Sequence, residues 1–216
     1  MNTLVHNSKL VFDFDGVIFH NTKVNEKIIE KSVGYVKSKT GYSYEKSLHF
    51  NNTNYKKHGH TALMLKHYGF DASLDEYNAY VFDSDLWANL KMNISNDDYI
   101  RAKCVKTANT LLGYNSILFS NAPYIWCYKV LDILDYNIYD MFSLTYTGTD
   151  ESSLKPNSKP YNFIEYSNKD VNNLHFFDDN KKNLENLSYK WTTHHVDSNI
   201  GLDNYINPVI DEIIKS

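Results

Sequence analysis

The chain has 216 residues, of which 42% are hydrophobic and 22% charged, a composition typical of a globular protein. Its formal net charge of −4 argues against a dedicated nucleic-acid binder and against a protein that binds anionic membranes. No apolar run approaches the ~18 residues that span a bilayer, and the first ten residues lack the apolar stretch of a secretory signal. The two cysteines, Cys104 and Cys127, have no metal-ligand spacing. We therefore expect a cytoplasmic protein with reduced thiols.

Short apolar runs alternate with segments of helical period along most of the chain. The runs predict strands at 9–14, 116–123, 142–148, 174–180 and 190–196. The segments between and after them predict helices at 95–114, 123–136, 159–167, 181–189 and 202–215, the last broken at Pro208. This alternation predicts an α/β fold with a Rossmann-like parallel sheet and helices on both faces.

The segment between the first two predicted strands has a different texture. Residues 24–39 repeat apolar positions with a helical period, and Ser73 is placed to cap a later helix. We therefore predict a small all-helical domain at 22–96, inserted after the first strand of a core formed by 1–21 and 97–216.

Reactive side chains follow four of the predicted strands, at the edge where open parallel sheets bind ligands. They are Asp13 and Asp15, Ser120 and Asn121, Lys155 and Lys159, and Asp178 and Asp179. Carboxylates as close as the first pair raise each other's pKa unless a cation or hydrogen-bond donors lie nearby. Four carboxylates together require a hard cation, and Mg²⁺ suits oxygen ligands. With a hydroxyl, an amide and an ammonium added, the set suits phosphoryl transfer.

Four motifs occur in order, each on the element predicted for it: DFDGVI (13–18), ILFSNA (117–122), LKPNSKPY (154–161) and FFDDNKKN (176–183). Together they resemble the four motifs of the haloacid dehalogenase-like (HAD) superfamily, and the resemblance covers nearly the whole chain. The second aspartate, Asp15, resembles the pattern of the phosphatase and phosphomutase members, whereas dehalogenases lack an acid at this position.

The resemblance implies a role for each matching position. Asp13 would be the nucleophile that forms an aspartyl-phosphate, and Asp15 the general acid and base. Lys155 would neutralise developing charge; it fits the motif through Pro156 and Tyr161, while Lys159 is the alternative. Phosphate contacts would come from Gly16, Ser120 and Asn121. Mg²⁺ ligands would come from Asp13, Asp178, Asp179 and the backbone carbonyl of Asp15.

The helical insert lies where the superfamily places a lid over the active site. Residues 55–87 resemble the pyrimidine 5′-nucleotidase branch, although Ser120 replaces a more common threonine and His58 replaces an aromatic residue. Rings in this stretch can stack on a base, so we predict substrate contacts at Tyr55, His58, His60 and Trp87. Packing inside the lid is the alternative.

The leading hypothesis is a Mg²⁺-dependent phosphomonoesterase that hydrolyses nucleoside 5′-monophosphates, with a preference for pyrimidines. A phosphatase or phosphomutase acting on a sugar phosphate or phosphoglycolate is the second. The third is a non-catalytic binding protein on the same fold, which would be expected to have lost Asp13, Asp15 or the lysine. We expect the protein to bind a small phosphate ester and to bind neither nucleic acid nor a membrane. The sequence leaves the base preference and the oligomeric state open.

Overall fold

The computed structural model describes residues 7–215, apart from the side chain of Lys56. The strands are β1 (Ser8–Phe12), β2 (Ser116–Ser120), β3 (Phe142–Thr147), β4 (Asn173–Asp178) and β5 (Trp191–His195). The helices are α1 (Thr22–Thr40), α2 (Tyr44–His58), α3 (Thr61–His67), α4 (Leu74–Val81), α5 (Ser84–Asn93), α6 (Asn96–Leu112), α7 (Tyr124–Ile133), α8 (Ile138–Met141), α9 (Ser158–Ser167) and α10 (Asp203–Lys215). The strands form one parallel sheet in the order β3-β2-β1-β4-β5.

The central strands are buried on both faces, as expected of a parallel sheet covered by helices. One face carries a cluster of packed side chains from four strands and α9: Val11, Ile117, Phe119, Tyr161, Ile164, Leu174, Phe176 and Trp191. Successive strand residues point to opposite faces, so Leu10, Phe12, Leu118 and Phe177 face the other side, where all four are fully buried. Burial on two faces explains the apolar runs 10–12 in β1 and 117–119 in β2.

The described residues separate into two compact units. One comprises the segment ending at His20, Ser95–Gly148 and the segment from Ser152 onward, and it contains the sheet and α6–α10. The other comprises Asn21–Ile94 and Thr149–Glu151, and it contains α1–α5. The predicted fold class, a Rossmann-like parallel α/β sheet with a helical segment inserted after the first strand, is confirmed.

Helix ends in the helical unit follow local sequence signals. The side chains of Asn21, Ser43, Ser73 and Asp83 each accept a hydrogen bond from a backbone N–H in the first turn of the helix that follows. Gly41 ends α1 in the left-handed conformation that glycine adopts at low cost. Within the unit, α1 packs against α2, α4 and α5. The short helices are thus held by caps and by packing on α1.

Two sequence predictions differ from the structure. The helix predicted at 181–189 is only a 3₁₀ turn, Lys181–Leu184, because Asn186 adopts a left-handed backbone with φ 57° and because the Asn183 side chain turns towards Asp178. The break predicted at Pro208 does not occur, and α10 continues through it. Proline removes one hydrogen bond there, and burial of Ile206, Val209, Ile210 and Ile213 on one side of the helix outweighs the loss.

None of the helices in the described part of the chain is both long enough and apolar enough to cross a bilayer.

Candidate active site

Acidic residues from neighbouring strands meet at the carboxyl edge of the sheet. β1 pairs with β4 over Ser8–Phe12, and the Asp13 N–H extends this pairing by donating to the Phe177 carbonyl at 2.9 Å. Asp178 is the last residue of β4, so the two acids leave adjacent strands at the same level. Parallel pairing of the strands thus brings together two carboxylates that are far apart in sequence.

Lys155 connects these two acids. Its Nζ lies 2.9 Å from Asp13 Oδ1, 2.6 Å from Asp178 Oδ2 and 2.9 Å from the Phe119 carbonyl, and only 2% of the residue is exposed. Lys159 is directed elsewhere, since its Nζ donates to Ser152 Oγ at 2.7 Å in an exposed position. Of the two candidate lysines, Lys155 is therefore the one that contacts the acids.

Asn121 holds the backbone of Lys155. Its Oδ1 accepts from the Lys155 N–H at 2.7 Å, and its Nδ2 donates to the Lys155 carbonyl at 3.0 Å. Both ends of the amide are engaged in this way. Asn121, which the sequence suggested as a phosphate contact, thus anchors the loop that carries the lysine.

Burial dominates the electrostatics of the cluster. It raises the pKa of Asp13 well above its usual range; Lys155 opposes this effect, while Asp178 and Asp179 add to it. Burial by itself would lower the pKa of Lys155, but the Asp13 and Asp178 carboxylates raise it. The carboxyl groups of Asp13, Asp178 and Asp179 thus lie near one ammonium group, that of Lys155. Acidic groups outnumber the basic one in this cluster.

Asp178 is enclosed by donors. Asn183 Nδ2 lies 3.1 Å from its Oδ1 and 3.0 Å from its Oδ2, and the Asn180 N–H donates to Oδ1 at 2.8 Å. The carbonyl of Asn183 accepts from the Tyr161 hydroxyl at 2.7 Å. With Lys155 included, both oxygens of this fully buried carboxylate are held in place.

Asp179 packs over Gly16. A Cβ at position 16 would collide with the Asp179 carboxyl group, and Gly16 has φ +82°, which also favours glycine. Partial burial, together with the charge of Asp178, raises the pKa of Asp179 to about 6. Gly16 thus allows the close approach of Asp179 to the loop after β1.

One oxygen from each of Asp13, Asp178 and Asp179 lies within 4.8 Å of the other two. Carboxylate oxygens are hard ligands of the kind that Mg²⁺ prefers, and the local excess of negative charge favours a divalent cation. The residues present therefore fit a magnesium ion. The carboxyl of Asp15 is not part of this group; metal binding by Asp15 was predicted through its backbone carbonyl and stays a prediction.

The Asp15 carboxyl instead bonds to a tryptophan. Trp126 Nε1 donates to Asp15 Oδ1 at 2.8 Å. Burial raises the pKa of Asp15 to about 6, although the Trp126 hydrogen bond lowers it. Sequence reasoning missed Trp126, because a tryptophan in an apolar helix pattern gives no sign of a polar contact.

Ser120 ends β2, the strand beside β1, and only 1% of it is exposed. Its Oγ accepts from the Ala122 N–H at 3.1 Å, a bond that shapes the turn into α7. The hydroxyl is therefore at the carboxyl edge, one strand away from Asp13.

The other predicted substrate contacts belong to the helical unit. Tyr55 is 45% exposed on α2, and His58 lies with its ring centroid 4.5 Å from that of His67. Trp87 stacks on Phe82 with centroids 6.3 Å apart. His60 is buried and caps α3 by accepting from the Ala62 N–H; it therefore has a structural role, and contact between substrate and the other three residues stays a prediction.

No family model matches the chain, and no curated protein matches it. Solved structures do. A HAD phosphatase from Thermococcus onnurineus aligns with a TM-score of 0.52 and 15% identity over 81% of this chain and 78% of that one. A candidate β-phosphoglucomutase from Thermotoga maritima aligns with a TM-score of 0.56 and 12% identity over 94% and 98%. The chain thus has the haloacid dehalogenase-like fold.

Proposed function

We propose that this protein is a phosphomonoesterase that works through an aspartyl-phosphate on Asp13. The observation that carries the proposal is the buried contact of Lys155 with both Asp13 and Asp178, with Asp179 close to both acids. A nucleophile, a fixed positive charge and a set of hard oxygen ligands are the requirements of phosphoryl transfer. The motifs of the HAD superfamily and the shared fold support the same chemistry.

In the proposed reaction an Asp13 carboxylate oxygen attacks phosphorus, and the bond from phosphorus to the ester oxygen breaks. The departing alkoxide takes a proton from Asp15 and leaves as an alcohol. Water then loses a proton to Asp15 and attacks the same phosphorus, and the bond from phosphorus to the Asp13 oxygen breaks, which releases inorganic phosphate and restores the Asp13 carboxylate. Lys155 neutralises charge on the phosphoryl oxygens in both steps, and Ser120 and the backbone N–H groups next to it bind those oxygens.

Asp13, Asp178, Asp179 and the backbone carbonyl of Asp15 would hold Mg²⁺. When bound, the ion would reduce the repulsion between the anionic nucleophile and the phosphate dianion. The local excess of carboxylates over ammonium groups supports this assignment.

We further propose that the substrate is a nucleoside 5′-monophosphate, preferably a pyrimidine one. The resemblance of residues 55–87 to the pyrimidine 5′-nucleotidase branch supports this choice. The domain at 22–96 would serve as the lid, and Tyr55, His58 and Trp87 would contact the base or sugar. A stacked ring contributes about 1–3 kcal/mol, so Tyr55→Ala or Trp87→Ala should raise the KM for the nucleotide by roughly tenfold. An unchanged KM would remove that residue from the binding site.

The test is a panel of phosphate esters assayed with Mg²⁺: UMP, CMP, AMP, glucose phosphates and phosphoglycolate. We expect UMP and CMP to be hydrolysed fastest. Faster release of phosphate from a sugar phosphate would change the substrate class, and transfer to a sugar hydroxyl instead of water would indicate a phosphomutase. The second of the aligned structures carries the name of such an enzyme.

The nucleophile is tested by Asp13→Asn, with Asp140→Asn at an exposed position on α8 as the matched control. Acid quenching during turnover of a radiolabelled ester should leave label on the wild-type protein and on the control variant, but not on Asp13→Asn. Full activity of Asp13→Asn would rule out the covalent mechanism. A folded wild-type protein without activity on any ester would favour a binding function.

A further inference from the structure

A buried indole holds the carboxyl group of Asp15. Trp126 is fully buried in the first turn of α7, and its Nε1 lies 2.8 Å from Asp15 Oδ1. No other group among residues 7–215 forms a hydrogen bond with this carboxyl. The orientation of the Asp15 side chain therefore depends on one donor, located 111 positions away in sequence.

Trp126, the donor, also packs against the turn that carries Asp15, the acceptor. The Trp126 ring meets the Phe19 ring edge to face, with centroids 5.6 Å apart. Phe19 closes the turn that carries Asp15, because its N–H donates to the Phe14 carbonyl at 3.0 Å and its carbonyl accepts from the Gly16 N–H at 2.8 Å. The indole thus holds both the backbone turn and the side chain of Asp15.

An indole N–H can donate a hydrogen bond but cannot accept one. Asp15 Oδ1 is therefore the acceptor in this bond, and a proton on Asp15 is favoured on Oδ2, because the carbonyl oxygen of a carboxylic acid accepts a hydrogen bond better than its hydroxyl oxygen does. We infer that Trp126 is a positioning residue that makes Oδ2 the proton-transferring oxygen of Asp15 and directs it at the leaving group. This inference rests on the proposed phosphatase function and assigns a role within it.

Loss of the indole N–H should harm only those reactions that need the acid. An alkyl phosphate has a strongly basic leaving group that must be protonated as it departs, whereas dinitrophenolate leaves without a proton. General acid catalysis contributes about 10²–10⁴-fold, so loss of its orientation in Trp126→Phe should reduce kcat/KM for an alkyl phosphate by about 10- to 100-fold. The value of kcat/KM reports only the steps up to phosphorylation of Asp13 and not the later hydrolysis, in which Asp15 acts as the base. For dinitrophenyl phosphate, kcat/KM of Trp126→Phe should therefore stay within about threefold of the wild-type value.

Trp191→Phe is the matched control. Trp191 is also buried in the α/β unit, and its indole N–H also donates to a carboxylate, that of Glu165 at 2.6 Å. The Trp191→Phe variant should lose about as much stability as Trp126→Phe, while its kcat/KM stays unchanged for both esters. An equal fall for both esters in Trp126→Phe, or no fall for either, would overturn the inference. If Asp13→Asn is inactive in the same assay, either of these contrary outcomes would reject the role of Trp126 and leave the proposed phosphatase function in place. If the wild-type protein hydrolyses neither ester, both the phosphatase function and the role of Trp126 are wrong.

Two further measurements are independent of how Trp126→Phe folds. Benzothienylalanine at position 126 keeps the ring shape and replaces N–H by sulfur, so it should reproduce the selective loss. By NMR, the indole N–H signal that is missing from the benzothienylalanine variant should shift in Asp15→Ala by more than the other indole signals do. An unchanged signal would show that the hydrogen bond to Asp15 does not form, and would overturn the inference.

Discussion

Lys155 Nζ lies 2.6 Å from Asp178 Oδ2, and neither side chain is exposed to solvent. The same ammonium contacts Asp13, so removing it leaves two buried carboxylates without their counter-ion. Breaking a buried ion pair costs about 3–5 kcal/mol. Lys155→Met should therefore reduce the free energy of unfolding by about 3 kcal/mol, and activity should fall by at least about 100-fold. Urea unfolding and a phosphate-release assay measure the two effects.

Lys159→Met is the control for this prediction. Its ammonium donates to the exposed Ser152 hydroxyl, and surface substitutions of this kind change stability by about 0.5 kcal/mol or less. A larger loss of activity in Lys159→Met than in Lys155→Met would transfer the role of active-site lysine to Lys159.

The approach of Asp179 to Gly16 predicts the effect of a methyl group at that position. Gly16→Ala should destabilise the protein by about 1–2 kcal/mol because of its positive φ, and it should reduce activity by about 100-fold because Asp179 is displaced. Gly41→Ala separates the two effects, since Gly41 has φ +71° but open space around the added Cβ. The control should lose comparable stability and keep its activity. Similar activity in the two variants would argue against a role for Asp179.

Asn183 donates to both oxygens of Asp178 and is 4% exposed. Groups that orient a metal ligand typically contribute 10–100-fold to metal affinity or activity. In Asn183→Ala, the Mg²⁺ concentration for half-maximal activity should rise by about 10- to 100-fold. Asn199→Ala, in an exposed loop, should leave it unchanged. Identical Mg²⁺ titrations for the two variants would mean that Asn183 does not orient Asp178 for metal binding.

His60 predicts acid sensitivity. Burial lowers the pKa of His60 to about 4, and its Nδ1 accepts from the Ala62 N–H, which requires a neutral ring. Between the usual pKa of about 6.5 and pH 4, the unfolded chain binds the proton and the folded one does not. The contribution of the neutral His60 ring to the free energy of unfolding is therefore fully present above pH 6.5 and decreases as the pH falls through this window. At pH 4.5 the decrease should be about 2 kcal/mol.

The comparison is with His60→Ser, which keeps a capping oxygen and does not titrate. Urea unfolding at pH 7 and pH 4.5 should show that the wild type loses about 2 kcal/mol more than the variant. Equal losses would mean that His60 titrates normally in the folded protein.

Much of the fold is encoded in short segments of the sequence. The apolar runs within β1, β2 and β4 are recognisable because strands buried on both faces are mostly apolar. Asn21, Ser73 and Gly41 mark helix ends because capping involves only a few neighbouring residues. The acid pair after β1 and the one after β4 were predicted to meet because parallel strands end at one edge.

Contacts between distant segments were decided only by the tertiary structure. The sequence motif favoured Lys155 but left Lys159 as an alternative, since both precede a proline, whereas the tertiary structure places the Lys155 ammonium between Asp13 and Asp178. Local sequence could not reveal that Trp126 donates to Asp15, because a helix pattern records burial and not hydrogen-bond partners. The sequence thus determined which chemical groups stand at the strand ends, and packing determined which of them touch, because hydrogen bonds and ion pairs depend on distance in space.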